Sequence, residues 1–257
     1  MKTFKLSIFL LLLVVAVSCK KTDNSSAATT VTVDDAADIA ASSLAENSYG
    51  LATVTDNVSS SALAISSLAT GSQSVNGVNP HKVCGATWVD SLSNSGSSES
   101  VSFSYFFKFG HTLNCNANSQ PDNISNVLIF HGNFDGPRLT SSNTGGATFT
   151  IAGLTQNATN YVINGQYNRK GSFQSKIGNK KSGQGSVSLA VTNLTLTKPG
   201  RKISGGTGTI TIAGTTSAHG SFSFTGTLLF NGDGTANLTV DGTVYVINLL
   251  TGEKHKH

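Results

Sequence analysis

From Val101 to Phe109 the chain reads Val-Ser-Phe-Ser-Tyr-Phe-Phe-Lys-Phe, so Val101, Phe103, Tyr105, Phe107 and Phe109 share one side while Ser102, Ser104 and Lys108 share the other. A period of two with one apolar face is the pattern of a half-buried strand. The alternation returns at 147–151, 161–163, 187–191, 210–212 and 222–228. Between Val191 and Leu194 the apolar phase slips from odd to even positions, which predicts a β-bulge. Turn signals recur at Gly145-Gly146, Gly178-Asn179, Pro199-Gly200, Asn231-Gly232 and Asp241-Gly242. Short turns between alternating strands imply antiparallel neighbours. The spacing predicts about nine to eleven strands in a β-sandwich or β-barrel over residues 81–252, with a polar tail at 253–257.

Ahead of the strands the period is helical. Asp34 and Asp35 open an Ala-rich stretch with Ala36, Ala37, Ile39, Ala40, Ala41, Leu44 and Ala45 at helix spacing, and Gly50 offers a stop. A second, Ser-rich candidate runs from Asp56 to Ala69, followed by a Gly/Asn/Ser connector to Pro80. Residues 34–80 are therefore expected to be a helical and linker segment packed on or beside the sheet. Residues 19–33 are expected to be a flexible tether, since Lys20 to Thr32 shows no apolar periodicity.

Met1 to Ser18 combines Lys2 and Lys5 with an apolar run from Leu6 to Val17, the composition of a secretory signal. The run is shorter than the ~20 residues that a spanning helix needs. Its ending, Ala16-Val17-Ser18-Cys19, resembles the lipobox of bacterial lipoproteins, with Ala16 standing where leucine is commonest. The resemblance covers the first nineteen residues. It implies cleavage before Cys19, a diacylglyceryl thioether on that cysteine and acylation of the new amino group, hence palmitate-type chains that anchor the protein in the membrane. The expected location is the bacterial outer membrane, lipid-anchored and facing the periplasm or the cell surface. An outer-membrane barrel is a poorer reading, because several strands alternate with Ser and Thr rather than presenting an apolar band.

Charge adds little. Two of the 17 basic residues lie in the signal, and against 13 carboxylates the remainder leaves the mature chain at +2, no footprint for nucleic acid. After Cys19, Cys84 and Cys115 remain, and an even pair in an oxidising compartment favours a disulfide. The two cysteines face each other if the β-hairpin turns near Glu99 and Ser100, a register that also sets Trp88 against His111.

The constellations that carry chemistry are few. A next turn centred on Pro121 would set His111 opposite His131, a two-imidazole metal site, although the same row also reads as packed core. Leu229 to Val240 resembles the centre of a dockerin-type calcium loop around Asn231, Asp233 and Thr235, but Leu229 and Val240 occupy its anionic ends, and a hairpin turn explains it better. Arg169, Lys170, Lys198, Arg201 and Lys202 are expected in turns at one end of the sheet, where they could hold an anionic glycan or a lipid headgroup. Asp90-Ser91-Leu92 resembles the acceptor of a bacterial O-glycosylation system, with Ser91 at the start of a polar loop. No nucleophile elbow, dinucleotide fingerprint or phosphate loop is present, and no cofactor is called for. The reading is a non-enzymatic lipoprotein acting in binding or surface structure. Its alternatives are a carrier of lipid or another hydrophobic ligand, and a hydrolase with an unrecognised carboxylate pair.

Overall fold

A computed structural model describes residues 31–68, 84–155, 157–178, 181–216 and 220–257, with only the backbone at 65–68. Cys19 and the signal, most of the tether and the connector before Cys84 lie outside the described residues. Two helices, α1 (Val33–Leu44) and α2 (Leu51–Leu68), precede eleven strands. These are β1 (Thr87–Ser97), β2 (Ser102–Cys115), β3 (Pro121–Asp135), β4 (Leu139–Ala152), β5 (Asn160–Ser175) and β6 (Ser182–Thr197), then β7 (Ile203–Thr216), β8 (Gly220–Phe230), β9 (Thr235–Val240), β10 (Thr243–Asn248) and β11 (Lys254–Lys256). All pair antiparallel, each with its neighbour in sequence, in one open sheet running from β1 to β11. Neither described helix is long and apolar enough to cross a membrane.

The alternating pattern decides which face is inside. On β2 the inward row is Tyr105, Phe107, Phe109, His111 and Leu113, all buried. Tyr161, Ile163, Tyr167, Arg169 and Phe173 do the same on β5. The sheet curves around α1, which touches β4, β6, β7, β9, β10 and β11. A helix approached from so many sides must be small and apolar. Ala36, Ala37, Ala40, Ala41 and Leu44 are almost fully buried, which is what the alanine run provides. Its start is fixed by a capping box, with Thr32 Oγ1 accepting from the Asp35 N–H and the Asp35 carboxylate accepting from the Thr32 N–H. At the other end, the N–H groups of Glu46 and Asn47 donate to the carbonyls of Leu249 and Leu250.

The bulge expected near Val191 is present. Register shifts between Thr192 and Thr195, Asn193 takes a positive φ, and its N–H is bonded by the side chain of Asn164 on β5.

Two turn expectations and one for the tail are corrected. Gly145 and Gly146 lie within β4, because Gly145 packs under the Phe130 ring and against the Asn168 carbonyl, where a Cβ would stand 2.2 Å from that oxygen. The turn lies instead at 136–138. Pro121 does not centre a turn but opens β3, the loop being 116–120, where the Asn116 side chain accepts from the N–H groups of Asn118 and Gln120. Residues 253–257 are no free tail, since Lys254 to Lys256 pair with β10.

Candidate functional site

Cys84 and Cys115 are bonded, their Cα atoms 5.5 Å apart, and Trp88 is paired with and stacked on His111. The hairpin register read from the sequence is therefore correct, although β1 runs on to Ser97 and absorbs the expected loop. Ser91 is accordingly an exposed residue inside β1, paired with Lys108, rather than a loop residue. Asp233 accepts from the N–H and hydroxyl of Thr235 in the β8–β9 turn, so the calcium-like stretch is a hairpin.

The two-histidine site does not form. Moving the turn to 116–120 pairs His111 with Asn126, while His131 pairs with Phe106 and is exposed on the outer face. No group of three or more His, Cys, Asp or Glu suited to a metal exists among the described residues. His111 instead joins a polar cluster. Its Nδ1 is hydrogen-bonded to Asn126 Oδ1, and Nε2 lies 3.4 Å from Asp90 Oδ2 and 3.5 Å from Ser61 Oγ of α2. The Asn126 amide donates to the Ile124 carbonyl, which fixes its oxygen toward the imidazole and leaves the proton on Nδ1. Nε2 faces both the Ser61 hydroxyl and the Asp90 carboxylate, so accepting from Ser61 would set its lone pair against the Asp90 charge. The order hydroxyl, imidazole, amide is that of a proton relay, but Ser61 sits inside a helix whose following N–H groups are committed to the helical ladder.

The basic rim is also dispersed. Arg169 and Lys170 lie within β5, not in a turn, and successive residues of a strand face opposite sides. Arg169 is buried and donates to the carbonyls of Ser42 (2.9 Å) and Ser48 (3.3 Å), the Tyr105 hydroxyl (3.0 Å) and Ser141 Oγ (3.4 Å). It ties α1 and the interhelical turn to β2 and β4. Burial pushes the neighbouring Tyr167 hydroxyl up to about 12, against the pull of the Arg169 charge. Lys198 donates to the carbonyls of Gly153 and Thr155 and lies over the Tyr161 ring, and Arg201 pairs with Asp56 at 2.9 Å. Lys170 and Lys202 alone of the five keep an exposed position.

A charged cluster that the sequence did not signal holds the start of α1. Asp38 accepts from Arg138 at 2.8 Å, Lys181 pairs with Asp35 at 2.6 Å, and the buried Lys254 ammonium meets Asp34 at 2.7 Å and Asp38 at 3.4 Å. Burial alone would raise the Asp35 carboxyl, but hydrogen bonds from Lys181 and Thr32 outweigh it and hold it below the usual range. The partners come from three distant segments, so only the final topology reveals them.

The outer face carries a trough of about 950 Å³ across β2 to β7. One wall is the register row Ser104, Asn133, Ser142, Ser172, Gln184 and Thr215. The other is Ser102, Asp135, Thr140, Gln174 and Ser182, and the inward row between them, Phe103, Phe134, Ser141, Phe173, Gly183 and Thr216, lines the floor. Asp135 is the one charged lining residue, held low by hydrogen bonds from Lys176 and Thr140. Beside the trough Gly171, Gly185 and Gly214 stand side by side on β5, β6 and β7. A Cβ on Gly171 would lie 1.8 Å from the Ser142 carbonyl oxygen, and one on Gly214 would lie 2.2 Å from that of Gln184. Without inward side chains the strands can dip toward the core there, which accounts for a hollow on the outside.

No family model, no curated protein and no solved structure matches this chain.

Proposed function

We propose that the protein is a lipid-anchored extracytoplasmic binding protein of the outer membrane, non-enzymatic, with its working surface on the outside of the sheet. The observation that carries this reading is the position of α1. The inward face is occupied by that helix and its aromatic surround, and the pockets beside α1 that involve Asp38 and Arg169 hold about 10 and 20 Å³, room for a water molecule at most. A carrier needs a lumen, and here the Phe103 to Phe107 row packs against Tyr49 instead. The outer face is left, with its hydroxyls and amides. The lipobox-type ending at Cys19 supports the anchor, and the Cys84–Cys115 bond suits an oxidising compartment.

The test is mass spectrometry of the protein purified from its own membranes. The expected result is a mature chain beginning at an acylated Cys19, with no lipid cargo besides the anchor. A stoichiometric non-covalent lipid would replace this reading with the carrier, and Cys19→Ser that leaves processing and membrane attachment unchanged would remove the anchor. The contact between Ser61 and His111 is the one observation that favours a hydrolase, and labelling of Ser61 by a fluorophosphonate would bring that reading forward.

A further inference from the structure

We propose that the trough across β2 to β7 binds an uncharged polysaccharide chain lying perpendicular to the strands. The inference rests on the binding-protein reading above and gives it a ligand class. Shape comes first. Strands are ~4.8 Å apart, so six of them give a groove on the order of 24 Å long, and residues two apart on a strand set its walls roughly 7 Å from each other. A long, narrow and open groove suits a polymer that enters and leaves at both ends, whereas small ligands are enclosed.

Chemistry narrows the occupant. Ser, Thr, Asn and Gln each offer both donors and acceptors, as sugar hydroxyls do, and the walls repeat such groups on every strand. Short side chains on strands also lose little freedom on binding. Asp135 is already paired with Lys176 at 2.5 Å, so the trough presents no free charge to attract an anionic glycan or a basic peptide. The lining contains no Trp, Tyr or Arg, and of its three aromatic residues Phe134 and Phe173 are buried with their rings turned inward, so they offer little to anchor a protein partner. Of the hollows on the outer face this is the largest, against about 580 Å³ across β6 to β10 and about 480 Å³ over the glycine row itself.

The test is affinity electrophoresis of the full-length, membrane-extracted protein in gels containing dextran, soluble mixed-linkage β-glucan, galactomannan or polygalacturonate. Retardation by at least one of the three neutral polymers is expected, with none by polygalacturonate. The double change Asn133→Ala and Gln184→Ala should weaken that binding at least tenfold. Thr227→Ala, outside the trough, should leave it unchanged. Because all three positions are exposed, an unaltered circular dichroism melt separates lost binding from lost fold. The proposal is overturned if no neutral polymer retards the protein, if polygalacturonate binds more tightly, if the double change has no effect, or if the trough instead captures a polypeptide. Repeating the gel with Cys19→Ser distinguishes the two readings. Retained binding with lost anchoring separates trough from anchor, and correct anchoring with no glycan binding sinks only the ligand class.

Discussion

Arg169 and Lys170 are adjacent in β5 and chemically alike, yet they occupy opposite worlds. Arg169 points inward, where its guanidinium donates to two carbonyls at the end of α1 and in the following turn, and reaches two hydroxyls on β2 and β4. Lys170 points outward between Thr144 and Ser186, exposed to solvent. Strand parity, rather than charge, assigns them. The same division runs through the molecule. The inner face is aromatic, aliphatic and sparingly polar, with its polar groups mostly satisfied by side chains far apart in sequence. The outer face is largely Ser, Thr, Asn and Gln, interrupted by exposed Val89, Val127, Ile129 and Leu229 and by the Phe106–His131 ring contact. Conformity to the core constrains one face, and the other is open to function.

The largest effect should come from Arg169→Ala. It leaves the Ser48 carbonyl and the Tyr105 hydroxyl without this donor in a buried setting and the Ser42 carbonyl with the Ser48 hydroxyl alone, and should cost about 3–5 kcal/mol by denaturant unfolding. A loss under 1 kcal/mol would mean that water replaces the guanidinium and that the inner face is wetter than its packing implies. Next is the disulfide. Cys84 and Cys115 are separated by 31 residues, and chain-entropy arguments give a loss of about 3–4 kcal/mol for Cys84→Ser with Cys115→Ser. Gly171→Ala follows, at about 2–3 kcal/mol, because a methyl group would collide with the Ser142 carbonyl of the neighbouring strand. If it proves neutral, the strands do not approach as closely as described, and the account of the outer hollow fails with them.

These residues also show where sequence is readable. The inward rows, the Val191 bulge, the two helices and the Cys84–Cys115 register are legible because each depends on local period or on one hairpin. The His111 with His131 pairing failed for a local reason as well. Pro121 looks like a turn centre, but Asn116 closes the loop earlier by bonding the backbone at Asn118 and Gln120, and a shift of the turn by about two residues changes every partner beyond it. Gly145 misleads because glycine serves close packing as readily as turning. Lys254 looks like a tail residue and is a buried ammonium, since Asp34 and Asp38 lie some 220 residues away in sequence and no periodicity connects them. The trough is furthest from sight, requiring the lateral register of six strands at once.

Smaller effects sharpen the division. The Asp35 carboxyl ionises below its ordinary value in the folded protein, so its charge stabilises the fold at neutral pH, and that contribution is lost as pH falls through and below the usual carboxylate range. Asp35→Asn should cost about 1–2 kcal/mol at pH 7 and flatten the acid limb of the stability profile. An unchanged limb would show that Lys181 and Thr32 do not hold this carboxylate in solution. Lys170→Ala should do least, within about 0.5 kcal/mol, as expected of an exposed side chain away from caps and partners. Its value lies in the contrast with Arg169→Ala one residue earlier. Similar losses from both would mean that β5 can slip by one residue and exchange its faces, which would also dissolve the rows that form the trough. Unequal losses, with the gap of several kcal/mol expected here, fix the register of β5 by measurement and with it the side of the sheet on which a ligand can be met.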